Sequence, residues 1–210
     1  GNNNDAPGLS ANNEQAFFQH ILERADWTRD LHFQTKTTMD TLDYSGDGWN
    51  TGSKLVLAAC GEPIRTLGTQ VPAIDGNDLF HSPKLIGPGI LAIQAPKFNA
   101  EIGYQQAEKI ALELEAYDLD KFPLIVLSDD STFMAEDYSN FLWAAFTRTN
   151  PSHDIHGIHA FVEHKHWGCK GSLIMDARIK PHHAPELVMD KKVELAVERF
   201  FEKGASLEGY

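Results

Sequence analysis

FPLIVLSDDSTF (Phe122–Phe133), WAAFTRTNPSHDI (Trp143–Ile155) and GCKGSLIMDARIKPHHAP (Gly168–Pro185) decide how this chain folds. Leu124 to Leu127 is a short, wholly apolar run, the pattern of a strand buried on both faces, and it ends in Asp129-Asp130. Ala135 to Thr147 reads as a helix with Tyr138, Phe141, Leu142, Ala145 and Phe146 inward, stopped by Asn150-Pro151. Ile155 to Val162 and Ser172 to Met175 read as further strands, the second ending at Asp176.

Working outward, Ile102 to Tyr117 is amphipathic through Ile102, Ala107, Ile110, Ala111 and Leu114. Gly89 to Ala95 is a strand bracketed by Pro88 and Pro96. Lys54 to Ala59 predicts a buried strand closed by Gly61 and Pro63. DYSGDGWNTGS (Asp43–Ser53) is dense in Gly, Asp and Ser and predicts a loop. Thr28 to Asn50 has only a weak pattern. Glu14 to Trp27 places Phe17, Phe18, Ile21, Leu22 and Ala25 at helical spacing, with Asn12 or Asn13 as cap. A last helix begins at Val188 or Asp190, carries Val193, Leu195, Ala196, Val197, Phe200 and Phe201, and has Gly204 as its C-terminal cap. Strands separated by helices predict an α/β fold: a layered, largely parallel sheet with helices on both faces. The expected organisation is a polar linker or excised edge over 1–13, a helix and loop connecting segment over 14–50, and an α/β domain over 51–210.

The 210 residues suffice for one domain with an ample core. Eighteen basic against thirty acidic side chains leave a net charge of −12, which disfavours nucleic acid and anionic membrane surfaces. Two isolated cysteines, Cys60 and Cys169, make no disulfide framework and point to a reducing, cytoplasmic setting. No apolar run is long enough to span a bilayer.

Three groups of residues are able to carry chemistry. His153, His156, His159, His164, His166 and Cys169, followed by His182-His183, offer zinc-type donors. Their spacing is poor: residues three apart in a strand point to opposite faces, and there is no Cys-x-x-Cys or His-Glu-x-x-His. The alternative is a set of ordinary core and surface histidines. Asp129-Asp130 lie beyond the carboxyl end of a central strand, where open α/β sheets bind ligands, although Asp129 or Ser131 also suits the cap of the next helix. Arg148, Lys170, Asp176, Arg178 and Lys180 form either a carboxylate clamp or a surface ion-pair network. No G-x-G-x-x-G, Walker loop or G-x-S-x-G elbow occurs.

GSKLVLAACGEPIRTLG (Gly52–Gly68), SPKLIGPGILAIQAPKF (Ser82–Phe98), FPLIVLSDD, LWAAFTRTNP and GSLIMDARIKPHHAP together resemble the C-terminal domain of the UbiD family of decarboxylases, from about Ser53 onward. The closing run is most similar to the long menaquinone-biosynthesis-type members. The resemblance implies a parent 3-octaprenyl-4-hydroxybenzoate or aromatic acid carboxy-lyase. In that family a preceding flavin-binding domain supplies a Glu–Arg–Glu constellation, prenylated FMN and a divalent metal. The family's Pro-Glu-Gly-Pro-like run is absent, since Glu62-Pro63 stands in Cys-Gly-Glu-Pro-Ile, so no catalytic, cofactor or metal residue is carried over to this chain. The implied role is scaffold, pocket wall and homo-oligomer contact, with the flavin-binding domain as partner. His164, His166, Lys170, His182 and His183 are the expected pocket or interdomain contacts. Competing readings are a stand-alone interaction module of the same fold and a histidine-based metal-binding protein.

Overall fold

The computed structural model describes residues 6–10, 12–46, 48–184 and 188–209. Residues 1–5 and 11 of the predicted linker, Asp47 of the predicted loop and Pro185 lie outside them. Helix α1 (Glu14–Arg24) is capped by the Asn13 side chain, which accepts from the Ala16 N–H, and it buries His20, Ile21 and Leu22. The weakly patterned stretch after it forms strand β1 (Leu31–Thr38), paired antiparallel with β2 (Thr51–Leu57) in a separate two-stranded ribbon. β2 is not the buried strand expected from Lys54 to Ala59. Its residues are mostly exposed or half-buried, as suits a ribbon lying outside the main sheet.

The main sheet comprises β3 (His81–Gly87), β4 (Ile90–Gln94), β5 (Leu124–Ser128), β6 (Ile155–Gly157) and β9 (Leu173–Asp176), in the order β3-β4-β5-β9-β6. It is mixed rather than largely parallel. β4–β5 and β5–β9 are parallel, whereas β3–β4 and β9–β6 are antiparallel. The reason is local. β3 turns straight into β4 through Pro88 and Gly89, whose φ of +76° suits glycine, and so tight a connection forces antiparallel pairing. β3 itself escapes the sequence pattern because it is polar and carries Pro83, which an edge strand tolerates.

Alternation along the central strands divides the core into two layers. Ile90, Ala92, Leu124, Val126 and Leu173 face α1 and α4 (Tyr138–Arg148). Leu91, Ile93, Ile125, Leu127 and Ile174 face α2 (Gly103–Leu114), which presents Ala107, Ile110, Ala111 and Leu114. Residues 14–50 share the first layer through Ile21, Leu22, Ala25, Trp27 and Leu31. The Trp27 indole N–H also donates to the Pro123 carbonyl at 2.9 Å, at the entrance to β5.

The helix expected over Ala135 to Thr147 is two helices, α3 (Ser131–Glu136) and α4, separated by Asp137 in extended conformation. The Asp137 carboxylate accepts from the Ser139 N–H, so the residue that breaks the first helix caps the second. The strand expected over Ile155 to Val162 likewise splits, into β6 and β7 (Ala160–Glu163), with His159 between them at φ +54°. β7 pairs with β8 (His166–Cys169) around His164 and Lys165. Both turn residues have positive φ, the geometry of a two-residue hairpin loop. α5 (Pro151–Asp154) leads into β6, and α6 (Lys191–Glu198) follows the Asp190 cap and buries none of its residues. Gly204 does not cap α6, which ends at Arg199; its N–H donates to the Glu208 carboxylate.

Candidate functional site

The parallel strands β4, β5 and β9 all end on one side of the sheet, and a cleft of about 730 Å³ opens there. Its members include Ser128, Asp129, Phe133, Trp143, Arg148 and His183. Each is placed by a simple local cause. Ser128 closes β5 and is 1 % exposed, and its hydroxyl has no partner among the described residues. Asp129 is the first residue past the strand, and its carboxylate accepts from the Ile179 N–H at 2.7 Å. Asp130, rather than Asp129 or Ser131, caps α3: its carboxylate accepts from the Thr132 and Phe133 N–H groups at 2.9 and 3.0 Å. Ser131 instead donates its hydroxyl to the Ser82 carbonyl at 2.6 Å.

Arg148 stands in the last turn of α4, where a cation suits the helix dipole. Its guanidinium lies 4.9 Å from the centroid of the Trp143 ring, a cation–π contact. It lies 4.0 Å from Asp129 Oδ2, beyond hydrogen-bond distance. The Lys180 N–H donates to His183 Nδ1 at 3.1 Å, which leaves the proton of the neutral ring on Nε2. Burial, reinforced by the charges of Lys180, His182 and Arg148, holds the His183 imidazole down to about 4, so it is neutral near pH 7.

The remaining expected cations do not reach this cleft. Asp176, Arg178 and Lys180 form neither a clamp open to ligand nor a surface network, because all three are buried. Arg178 binds Asp176 through two nitrogens and spends its other donors on the Pro96 and Gly103 carbonyls and on Gln106. Lys180 Nζ donates to the Asp176 carbonyl at 2.8 Å and lies 3.3 Å from Asp154 Oδ1. Burial raises the Asp154 carboxyl to about 6 despite the facing lysine. These groups tie the end of β9 to α2 through Gly103, to α5 through Asp154 and to the end of α4 through the Arg148 carbonyl, which accepts from Lys180 Nζ at 3.1 Å.

The histidines scatter. His164 is at the exposed tip of the β7–β8 hairpin and His166 begins β8, so the turn keeps them off a common strand. They adjoin Lys170 along a shallow groove on one side of the hairpin. The segment His164 to Lys170 is therefore a hairpin turn with strand β8, not the plain loop expected. His182 stacks edge-on against His183 at 4.6 Å. His153 meets the Ser152 hydroxyl, and His159 lies 3.2 Å from Glu115. His156 is half-buried in β6, and desolvation lowers its pKa. Cys169 is buried, and its thiol is pushed up to about 12. Among the described residues no three His, Cys, Asp or Glu side chains come together as a metal site. The sequence reading missed Ser128, Phe133 and Trp143. α4 carries more large apolar side chains than one inward face holds, which was the available signal: Trp143 is 55 % exposed, and Phe146, expected inward, is 57 % exposed.

Residues 5–59 match the family described as 3-octaprenyl-4-hydroxybenzoate carboxy-lyase C-terminal domain. That segment is similar to the UbiD C-terminal domain. The matched segment holds α1, β1 and β2, and it meets the residues that carried the sequence resemblance only over 52–59. Similarity to curated relatives runs along most of the chain. A Chlamydia muridarum protein is 29% identical over 200 residues, covering 93% of this chain and 32% of its own length. A Chlamydia trachomatis protein is 30% identical over 188 residues, covering 87% and 30%. A Chlamydia pneumoniae protein, named as a subunit of 4-hydroxybenzoate decarboxylase, is 30% identical over 180 residues, covering 84% and 29%. The chain thus spans about a third of the length of these relatives. No solved structure matches. Among the described residues no helix is long and apolar enough to cross a membrane.

Proposed function

We propose that this chain is the C-terminal part of a UbiD-type aromatic acid carboxy-lyase of the cytoplasm, serving as scaffold, pocket wall and contact between copies. The carrying observation is the match of residues 5–59 to the carboxy-lyase C-terminal domain, joined to similarity along most of the chain with a protein named as a decarboxylase subunit. In this reading the Glu–Arg–Glu acid/base machinery, the prenylated FMN and its divalent metal belong to a flavin-binding domain of the same longer protein. The donor sets described above support that division. Among the described residues no three metal-type donors gather, and one oxygen of each cleft carboxylate is already engaged, Asp130 Oδ1 by α3 and Asp129 Oδ2 by the Ile179 N–H. The described residues therefore do not fit the flavin phosphate and its metal, and no reaction step is assigned to them.

Two surfaces suit contact with other polypeptide. One is the β7–β8 hairpin bearing His164 and His166, with Lys170 beside it. The other is α6 and the residues after it, where Val193, Leu195, Val197, Phe200 and Phe201 are 44–59 % exposed. The reading is tested by measuring carbon dioxide release from an aromatic acid with prenylated FMN and divalent metal supplied. The chain alone is expected to be inactive, and the chain joined to the remainder of the Chlamydia pneumoniae protein named as a decarboxylase subunit to be active. Equal turnover by the chain alone would contradict the proposal.

A further inference from the structure

The Arg148 guanidinium and the Ser128 hydroxyl are hydrogen-bonding groups of one cleft that the described residues leave unused. The Arg148 side chain is 17 % exposed, yet its only ionic or ring partners among the described residues are the Trp143 ring and an Asp129 oxygen 4.0 Å away. A guanidinium carries five donors in a planar fork that matches the two oxygens of a carboxylate. One so withdrawn from water and lacking any hydrogen bond is short of an acceptor. Ser128 is an independent sign of the same want, because its hydroxyl is buried, unpartnered and part of the same cleft wall.

We infer that the strand-end cleft is a binding subsite for a flat organic carboxylate, with Arg148 and Ser128 holding the carboxylate and Trp143 and Phe133 flanking its apolar body. The two rings lie 6.2 Å apart, edge to face, and both are partly exposed. They can cover a planar group without rearranging the core. The cleft's volume falls within the range typical of small-molecule sites. Its position at the carboxyl ends of parallel strands is where open α/β sheets take ligands.

The nearby carboxylates do not forbid an anion. Asp130 is neutralised in part by two α3 N–H groups. Asp129 Oδ2 is held by the Ile179 N–H, while its Oδ1 has no partner among the described residues and accepts a hydroxyl or N–H on the far side of the ligand. His183 is neutral near pH 7 and adds no charge. The inference rests only on this chain and survives if the carboxy-lyase reading fails. It names a carboxylate-holding group within the strand-end cleft, separate from any upstream arginine.

The test is a nuclear magnetic resonance titration of the full 210-residue chain with benzoate and a naphthoate, following the Trp143 indole N–H and the Arg148 Nε–H. Saturable shifts of both below about 10 mM are expected for ligands of this size. Arg148→Gln is expected to weaken binding about ten- to a hundred-fold, as befits a lost charge-assisted pair, and Arg148→Lys by less. Ser128→Ala removes one oxygen with no change of shape and should weaken binding several-fold with the fold intact, which keeps the idea testable if Arg148→Gln does not fold. Absence of saturable shifts, or unchanged binding in both variants, would overturn it. So would equal binding of inorganic phosphate, which marks a general anion site, or shifts produced by an acidic peptide but not by benzoate. No decarboxylation is read, so this outcome is separable from the fate of the carboxy-lyase proposal.

Discussion

The Arg178 guanidinium grips the Asp176 carboxylate at 2.9 and 2.6 Å, and neither side chain is exposed to solvent. The pair ties the end of β9 to the entrance of α2, because the remaining Arg178 donors reach the Gly103 and Pro96 carbonyls. Breaking one side of a buried pair strands the other charge. Arg178→Met is therefore expected to cost about 3–5 kcal/mol of stability, measured by urea unfolding. Replacing Asp176 by Leu in the same chain should return part of that loss, since no lone charge remains. A loss below about 1 kcal/mol in the single variant would mean that water or another donor reaches the Asp176 carboxylate once the guanidinium is gone.

The pH dependence of stability has two opposed contributors close together. His183 is depressed to about 4 from an ordinary value of 6.5, first by burial and then by the charges of Lys180, His182 and Arg148. The unfolded chain takes up this proton before the folded chain does. The stability His183 contributes is thus complete above about pH 6.5 and is lost as pH falls toward 4. Asp154 works the other way. Burial raises it from 3.8 to about 6, so its contribution is present at low pH and is lost as pH rises through that value. His183→Asn keeps an acceptor for the Lys180 N–H and removes the titration. Thermal midpoints of this variant are expected to decline less than those of the parent between pH 6.5 and 4. Parallel curves for the two proteins would show that the His183 ring is freely solvated.

Gly168 in β8 fixes how closely the hairpin approaches the loop after α1. A Cβ at this position would stand 2.6 Å from the Trp27 carbonyl oxygen and 3.2 Å from Thr28 Cα, both main-chain atoms that cannot swing aside. Gly168→Ala is expected to destabilise the fold by about 1–3 kcal/mol through overpacking. Gly8→Ala, which would meet nothing within 4 Å, is the neutral control. Equal thermal midpoints for the two variants would mean that the hairpin yields without cost.

What the sequence disclosed depended on whether the deciding forces were local. β5 and α2 were legible because continuous burial in one and a single apolar stripe in the other leave a direct imprint on residue type. β3 and β1 were not: each is an edge or ribbon strand whose polar residues face water, so composition does not set them apart from loop. The break at Asp137 was hidden because one carboxylate both ends α3 and caps α4, while the apolar spacing on either side runs on undisturbed. Asp129 and Arg148 were legible as candidates from their place after a strand and at a helix end. The burial of Arg178 and Lys180 was not, since long cations go inside only when tertiary neighbours supply every acceptor. Ser128 gave no signal at all, because an unpartnered hydroxyl is a property of the surroundings and not of the residue.

α6 is the one helix of appreciable length whose apolar residues find no cover among the described residues. Val193 and Val197 lie one turn apart on it, 58 % and 47 % exposed, and Phe200 and Phe201 continue the apolar surface just beyond its end. Isolated helices of this length are marginal in water, so an apolar face on one implies a surface that completes it. The chain is accordingly expected to self-associate with rising concentration when no other domain is attached. Val193→Glu with Val197→Glu should shift it toward monomer and leave the thermal midpoint within about 1–2 °C of the parent, because α6 contributes nothing to the core. Sedimentation velocity over a hundred-fold concentration range reads the first effect, and thermal unfolding reads the second. If the parent chain sediments as a monomer throughout that range, α6 does not mediate contact between copies, and its apolar face is left for other polypeptide. A large fall in thermal midpoint without any change in association would instead place the helix against this chain's own core.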